Sequence, residues 1–294
     1  GVSANIAANG VFTLNQADLQ GISGFDGGNP NLGAETADSW TIGASFNPQS
    51  INALRNLVLT VDYYNIKIKD VISTFPRQFT LDKCFGDGNA TFCDLITRRP
   101  TATAVNSSGS IEFVDALNVN AAIQTAKGID ATISWNTPFS LLTPNDRLSM
   151  RLSYNHIFEL DYTPLLGEPV DPAAGEIGTP KDRFTANLTY SNDFMRLGFT
   201  GTYFGKSYED DQFCTSFDFA PKCGRVAPEF YLDMQTSFFA SDALEVYFGV
   251  DNLLDNSAPL IPSGTTFNIT GADTAADVYD VFGRRFYAGV RMRF

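Results

Sequence analysis

The chain has 294 residues, of which 13% are aromatic (25 Phe, 11 Tyr, 2 Trp) and only 18% charged, against a usual charged share of about 25%. So many rings exclude intrinsic disorder, and no run approaches the roughly 20 apolar residues of a membrane-spanning helix. Twenty Lys and Arg against 33 Asp and Glu give a net charge of -13, which removes the electrostatic footprint of a nucleic-acid partner.

The N-terminus is Gly1 rather than Met, and no basic segment followed by an apolar one marks a secretory signal in the first 30 residues. A fragment or processed product is expected. From there the dominant signal is period-two alternation, because neighbouring strand side chains face opposite ways. In chain order it predicts strands around Trp40, Ile42, Ala44 and Phe46, and from Leu57 to Val71. Further strands follow around Ile129 to Trp135, Leu148 to Phe158, Phe184 to Tyr190, Met195 to Tyr203, Phe230 to Phe238, Leu244 to Val250, and Phe286 to Phe294. In the Leu57–Val71 segment the apolar phase passes from Leu57, Leu59 and Val61 to Tyr64, Ile66 and Ile68. A bulge near Tyr63 is expected there.

The connections alternate in length: 47–56 is short and 71–118 long, 136–146 short and 160–181 long. Likewise 191–193 is short and 208–228 long, 241–243 short and 256–283 long. Tight turns at one rim and large loops at the other are the pattern of outer-membrane β-barrels; a sandwich does not place long loops so regularly. Pro164, Pro169, Pro172, Pro180, Pro259 and Pro262 all fall in long connections. The fold class expected is therefore all-β, an antiparallel transmembrane barrel with long outer loops and short periplasmic turns.

Cys84 and Cys93, and Cys214 and Cys223, each enclose eight residues. That gap is wider than the two to four residues within a zinc ligand pair, and His156 is the sole histidine. Two short disulfide loops fit, implying an oxidising compartment, with four reduced thiols as the alternative. Both pairs lie in long connections, on the side that the strand pattern assigns to the exterior.

Several stretches then resemble the C-terminal half of TonB-dependent outer-membrane receptors: Gly28-Asn29-Pro30-Asn31-Leu32 through Trp40-Thr41-Ile42-Gly43, Val61-Asp62-Tyr63-Tyr64-Asn65-Ile66, and Lys127-Gly128-Ile129-Asp130. Gly249-Val250-Asp251-Asn252-Leu253-Leu254-Asp255 and the ending Gly283 to Phe294 complete the series in family order. Phe286, Ala288, Val290, Met292 and Phe294 look like the β-signal read by the barrel-assembly machinery. The resemblance implies a 22-stranded barrel with an N-terminal plug and TonB-box, neither matched here, that takes up ferric siderophores, cobalamin or glycans in the bacterial outer membrane. On that basis residues 1–36 are expected to be an extracellular loop remnant and 37–294 about nine C-terminal strands, with the other strands upstream. Expected partners are outer-membrane lipid, a nutrient at the extracellular loops, the TonB complex through the absent N-terminal segment and the barrel-assembly machinery, but not nucleic acid.

Candidate lumen-facing residues occupy the polar phase: Arg151, Asn155, Arg183, Asn187, Asp233, Gln235, Arg291 and Arg293, with Arg196, Glu229, Glu245 and Arg285. His156 shares the apolar phase with Tyr154 and Phe158, a position suited to an interfacial aromatic girdle rather than to catalysis. The acidic run Glu209-Asp210-Asp211 lacks the spaced ligands of an EF-hand and reads as a solvated loop. No enzymatic constellation, metal site or cofactor is expected. The alternatives are a soluble or surface-attached carbohydrate-binding β-sandwich and, behind it, an outer-membrane barrel enzyme.

Overall fold

The computed structural model describes residues 1–20, 22–268 and 271–293. Nine long strands form one ladder: β1 (Thr36–Phe46), β2 (Leu57–Thr74), β3 (Ala116–Pro138), β4 (Arg147–Thr163), β5 (Asp182–Ser191), β6 (Met195–Phe204), β7 (Glu229–Ser241), β8 (Leu244–Asp251) and β9 (Arg285–Met292). Each strand neighbours the next in sequence, and the path ends at β1 and β9 without closing on itself among the described residues. A sandwich would divide such strands between two sheets; a single meander is the barrel arrangement. No helix among the described residues is long and apolar enough to cross a membrane.

Register shows why the alternation exists. From β4 to β9, Met150, Leu188, Phe199, Met234, Val250 and Phe286 are consecutive cross-strand partners, so one apolar row runs across six strands. One residue away, Arg151, Asn187, Thr200 and Asp233 form a polar row on the other face. A one-residue slip in any ladder would exchange the rows, so the two-faced pattern pins the register. Much of the apolar face is open: Phe286 is 66% exposed, Val290 56% and Met292 58%, although Val250 of the same row is buried.

Two expectations about the strands change. The bulge expected near Tyr63 is not where the chain departs from regularity. Asp62 lies against Gly43, Tyr64 lies against Gly128, and between them Tyr63 packs on Trp40 at 5.2 Å, so alternation runs unbroken through 62–64. Within β2 the residue with a left-handed backbone is Asp70, at φ 56. In addition, β2, β3 and β4, at 18, 23 and 17 residues, exceed the ~10-residue length that spans a bilayer. Their ends run on among the long connections, where Val71, Ala116 and Ala122 are buried and Val119 and Ala121 pack on the Phe75, Cys84 and Phe92 core, so no lipid-facing row marks them while hydrogen bonding continues: Asp26–Gly27 pairs in parallel with Ala116–Leu117, and Asp171–Pro172 with Asp161–Tyr162.

The short turns are tightly held. In the 139–146 connection the fully buried Asp146 accepts from the Leu141, Leu142 and Thr143 backbone N–H groups, the Thr143 hydroxyl and the Tyr190 hydroxyl. Burial opposes its charge, but these donors, Thr143 foremost, hold its carboxyl well below the usual carboxylate range.

The chain divides into two units: residues 1–36, 68–123 and 164–168, and residues 37–67, 124–163 and 169 onward. In the first, α1 (Val2–Asn9) ends at Gly10, which takes the left-handed φ of 77 and donates its N–H to the Ile6 carbonyl. Two more helices, α2 (Arg77–Phe85) and α3 (Ala90–Cys93), build a small core around Phe75, Cys84 and Phe92. In the second, residues of three long connections close over the polar face, gathering Ile177, Val226, Ile261, Ala275 and Tyr279 against Phe204 and Tyr231 of the sheet.

Candidate functional site

The long connections carry most of the chain's built, non-sheet structure. In the first unit the Cys84–Cys93 disulfide, with Cα atoms 4.7 Å apart, ties α2 to α3. Phe75 and Phe79 stack at 4.8 Å, and Phe92 stands edge-on to both at 5.6 Å. Lys83 binds Asp87 at 2.7 Å and Glu168 at 2.5 Å, and these two carboxylates raise its ammonium pKa. These rings therefore pack on one another rather than stand free, whereas Phe85, with Arg98 over its ring, is 56% exposed.

In the second unit Cys214 and Cys223 are bonded across 5.8 Å between Cα atoms, and α4 (Asp211–Ser216) is capped by Asp210, which accepts from the Phe213 N–H at 2.8 Å. The fold brings carboxylate oxygens of Asp171, Glu176 and Asp211 within 4.8 Å of one another. Burial, and after it the charges of Asp210, Asp171 and Asp211, push the Glu176 carboxyl up to about 7. Asp171 is raised by burial and then by Asp210 and Asp211. Oδ1 of Asp211 is buried without a hydrogen-bond partner. The acidic run 209–211 is therefore more than a solvated loop: it joins two acids 30 to 40 positions upstream, a gathering that no local spacing foretells.

A cleft of about 390 Å³ opens beside these acids, walled by Ile177, Phe219, Val226, Leu260, Ile261 and Pro262, with Glu209 and Arg225 as its charged members. Phe219 and Leu260 are 61% and 84% exposed. A separate polar hollow of about 330 Å³ lies on the polar sheet face among Asn187, Arg196, Asp233, Gln235, Asp251 and Tyr287.

The residues expected on the polar phase fall as follows. Arg151 faces Asn187 and Asn155 faces Arg183 across the β4–β5 ladder. Asn155 donates to Asp130 at 2.7 Å, Asn187 accepts from Thr200 at 3.0 Å, and Asp233 accepts the Asn252 N–H at 2.8 Å. Arg291 pairs with Glu245 at 2.7 Å, and Arg285 with Asp251 at 3.4 Å. Gln235 lies opposite Gly198 and Gly249, while Arg183 covers the Phe204 ring at 4.9 Å. Arg293, just past β9, donates its N–H to the Ala243 carbonyl. Phe286, Ala288, Val290 and Met292 lie on the apolar face opposite Val250, Phe248, Val246 and Leu244; Phe294 falls outside the described residues. His156 sits on that face too, edge-on to Phe158 at 4.8 Å, with Asp182 accepting from Tyr154 and contacting the imidazole, each at 2.7 Å. Asp182, missed in the sequence because it precedes the regular part of its strand, is legible only as the cross-strand partner of His156.

One further pattern escaped the sequence. Tyr247 lies opposite Gly289 and Gly249 opposite Tyr287, so each ring lies over the other strand's glycine.

A search of curated sequences finds no match. Among solved structures the chain is similar to the ferric enterobactin receptor PfeA of Pseudomonas aeruginosa, with 18% identity and a TM-score of 0.55 over 92% of this chain and 33% of that one. It is also similar to the siderophore receptor PirA of Acinetobacter baumannii, at 14% identity and TM-score 0.54 over 92% and 33%. The ferric-catecholate import receptor Fiu of E. coli matches at 13% and 0.51 over 90% and 29%. The chain thus spans about a third of the length of these structures. The family model for the TonB-dependent receptor-like β-barrel matches residues 5–253. With the single two-faced meander and its alternating turns and loops, that match makes this chain a member of the TonB-dependent receptor β-barrel family of the bacterial outer membrane.

Proposed function

We propose that the chain is the C-terminal barrel portion of a receptor that captures a scarce nutrient at its outer loops and takes it up with energy from the TonB complex, without catalysing a reaction. The observation that carries this reading is the apolar row from Met150 to Phe286 backed by the polar row from Arg151 to Asp233: one face suits lipid, the other a hydrated lumen. In this reading Arg151, Asn155, Arg183, Asn187, Asp233, Gln235, Arg291 and Arg293 line the lumen of a barrel completed by strands outside this chain. Residues 37–294 supply the wall and 1–36 an outer loop. Phe286, Ala288, Val290, Met292 and Phe294 serve as the signal for the barrel-assembly machinery. PfeA is named as a ferric enterobactin receptor, PirA as a siderophore receptor and Fiu as a ferric-catecholate import receptor, which supports a ferric siderophore among the nutrient classes.

The test uses the full-length receptor in its own outer membrane. It should stay with the membrane in carbonate, show heat-modifiable mobility and support uptake of a labelled nutrient only in cells that have TonB. Uptake that persists without TonB, or release by carbonate, would overturn the reading.

A further inference from the structure

The apolar cleft between the 205–228 and 252–284 connections has a carboxylate where its lining would favour none. Glu209 is only 4% exposed; its N–H donates to the Cys223 carbonyl at 3.2 Å, and its carboxylate accepts from the N–H of the adjacent Asp210 at 3.4 Å. No lysine or arginine forms an ion pair with Glu209, Asp171, Glu176, Asp210 or Asp211 among the described residues. A buried carboxylate without a counter-charge is unfavourable; Asp210 and Asp211 follow it directly in the chain, and Asp211 gathers with Asp171 and Glu176, the residue before Ile177 of the cleft wall. Arg225 shares the cleft but lies on its exposed rim, outside ion-pair distance. The walls are apolar, with Phe219 and Leu260 open to any occupant.

We propose that this cleft binds a small organic cation with an apolar body, its positive group against Glu209 and its body on Phe219, Leu260 and Ile261. Charge complementarity selects the cation: an anion would meet the Glu209 carboxylate and the acids next to it in the chain, Asp210 and Asp211, and a neutral polar ligand would leave that carboxylate without a counter-charge. The volume, about 390 Å³, lies within the range of small-molecule sites. The proposal rests on reading these connections as the receptor's outer loops, and it departs from the ferric enterobactin, siderophore and ferric-catecholate for which the structural neighbours are named.

The experiment titrates full-length receptor in lipid nanodiscs with three probes sharing one apolar body: phenethylammonium, 2-phenylethanol and 3-phenylpropionate, with empty nanodiscs as blank. Phenethylammonium should bind tightest and lose affinity as salt rises. Glu209→Gln should weaken it by about tenfold, and Asp211→Asn should weaken it less. Arg225→Gln should leave binding equal or tighter, since it removes a competing cation. Retained heat-modifiable mobility shows that each variant is folded. Tighter binding of 3-phenylpropionate, no effect of Glu209→Gln, or no binding of any probe would overturn the proposal. Glu209-dependent binding in a receptor whose uptake ignores TonB would leave the site standing and overturn the transport reading; TonB-dependent uptake without cation binding would do the reverse.

Discussion

Replacing Gly289 with Ala should destabilise the barrel wall, and replacing Tyr247 as well should restore it. Gly289 lies opposite Tyr247 in the β8–β9 ladder, and a methyl carbon added there would overlap the Tyr247 ring. The ring must turn off its present rotamer to admit the methyl; Tyr287, which itself covers Gly249, lies 6.4 Å from it, centroid to centroid. Forcing a side chain about 30° off its rotamer costs roughly 0.5–1.5 kcal/mol, and overpacking a close contact typically costs about 1–3 kcal/mol in all. The expected loss is therefore about 1–3 kcal/mol, roughly a 5- to 150-fold change in the folding equilibrium. Denaturant titration of the full-length receptor in lipid vesicles, followed by heat-modifiable mobility, measures it. The Tyr247→Ala/Gly289→Ala double variant should recover most of the loss that Gly289→Ala alone adds, because the methyl then enters vacated space. Ala288→Gly, one residue away on the apolar face, should not respond to the Tyr247 change. A neutral Gly289→Ala, or a loss unchanged by removal of the ring, would refute the contact as the cause.

Val290→Arg should cost roughly 2–4 kcal/mol near the bilayer midplane, whereas Arg291→Gln, which removes only an exposed pair with Glu245, should be much milder; equal effects on folding into vesicles would reverse the assigned faces. Because the Glu176 carboxyl is pushed from 4.5 up to about 7, its proton stabilises the folded loop fully below about pH 4.5, and that contribution is lost as pH rises through 7. Hydrogen exchange of the Ile177 and Tyr208 amides, which bond to Tyr208 and Gly175 carbonyls, should therefore be better protected at pH 5 than at pH 8 after correction for intrinsic rates. Glu176→Gln should flatten that difference, and protection that rises with pH would contradict the burial argument. Removing the Cys214–Cys223 bond by a double Ser substitution should cost the loop about 2–3 kcal/mol on the chain-entropy model and open 205–228 to protease while the sheet persists. Cleavage within the strands at the same rate would show that the bond supports the whole wall.

The sequence determined the strands and their order, the alternation of tight turns with long connections, and the phase of the residues in the regular segments. These follow from local geometry: a strand's side chains alternate wherever one face meets lipid and the other water, so Met195, Leu197 and Phe199 declare their phase without any partner. Where that contrast fades the reading failed, at the ends of β2, β3 and β4, which the long connections pack against rather than lipid, and at the change of apolar phase near Tyr63, because hydrogen bonding continues there without a lipid-facing row to mark it. Cysteine spacing likewise anticipated both loop disulfides, each being a short-range closure. The tertiary structure alone decided what is non-local. It seats Asp182 against His156 and interlocks two tyrosines with two glycines across the last ladder. It folds Phe204 and Tyr231 under Tyr279, and it brings Asp171, Glu176 and Asp211 together beside an apolar cleft holding Glu209. Each of these depends on which distant segments collapse on one another, and burial of apolar surface, which drives that collapse, is non-directional and leaves no period in the chain.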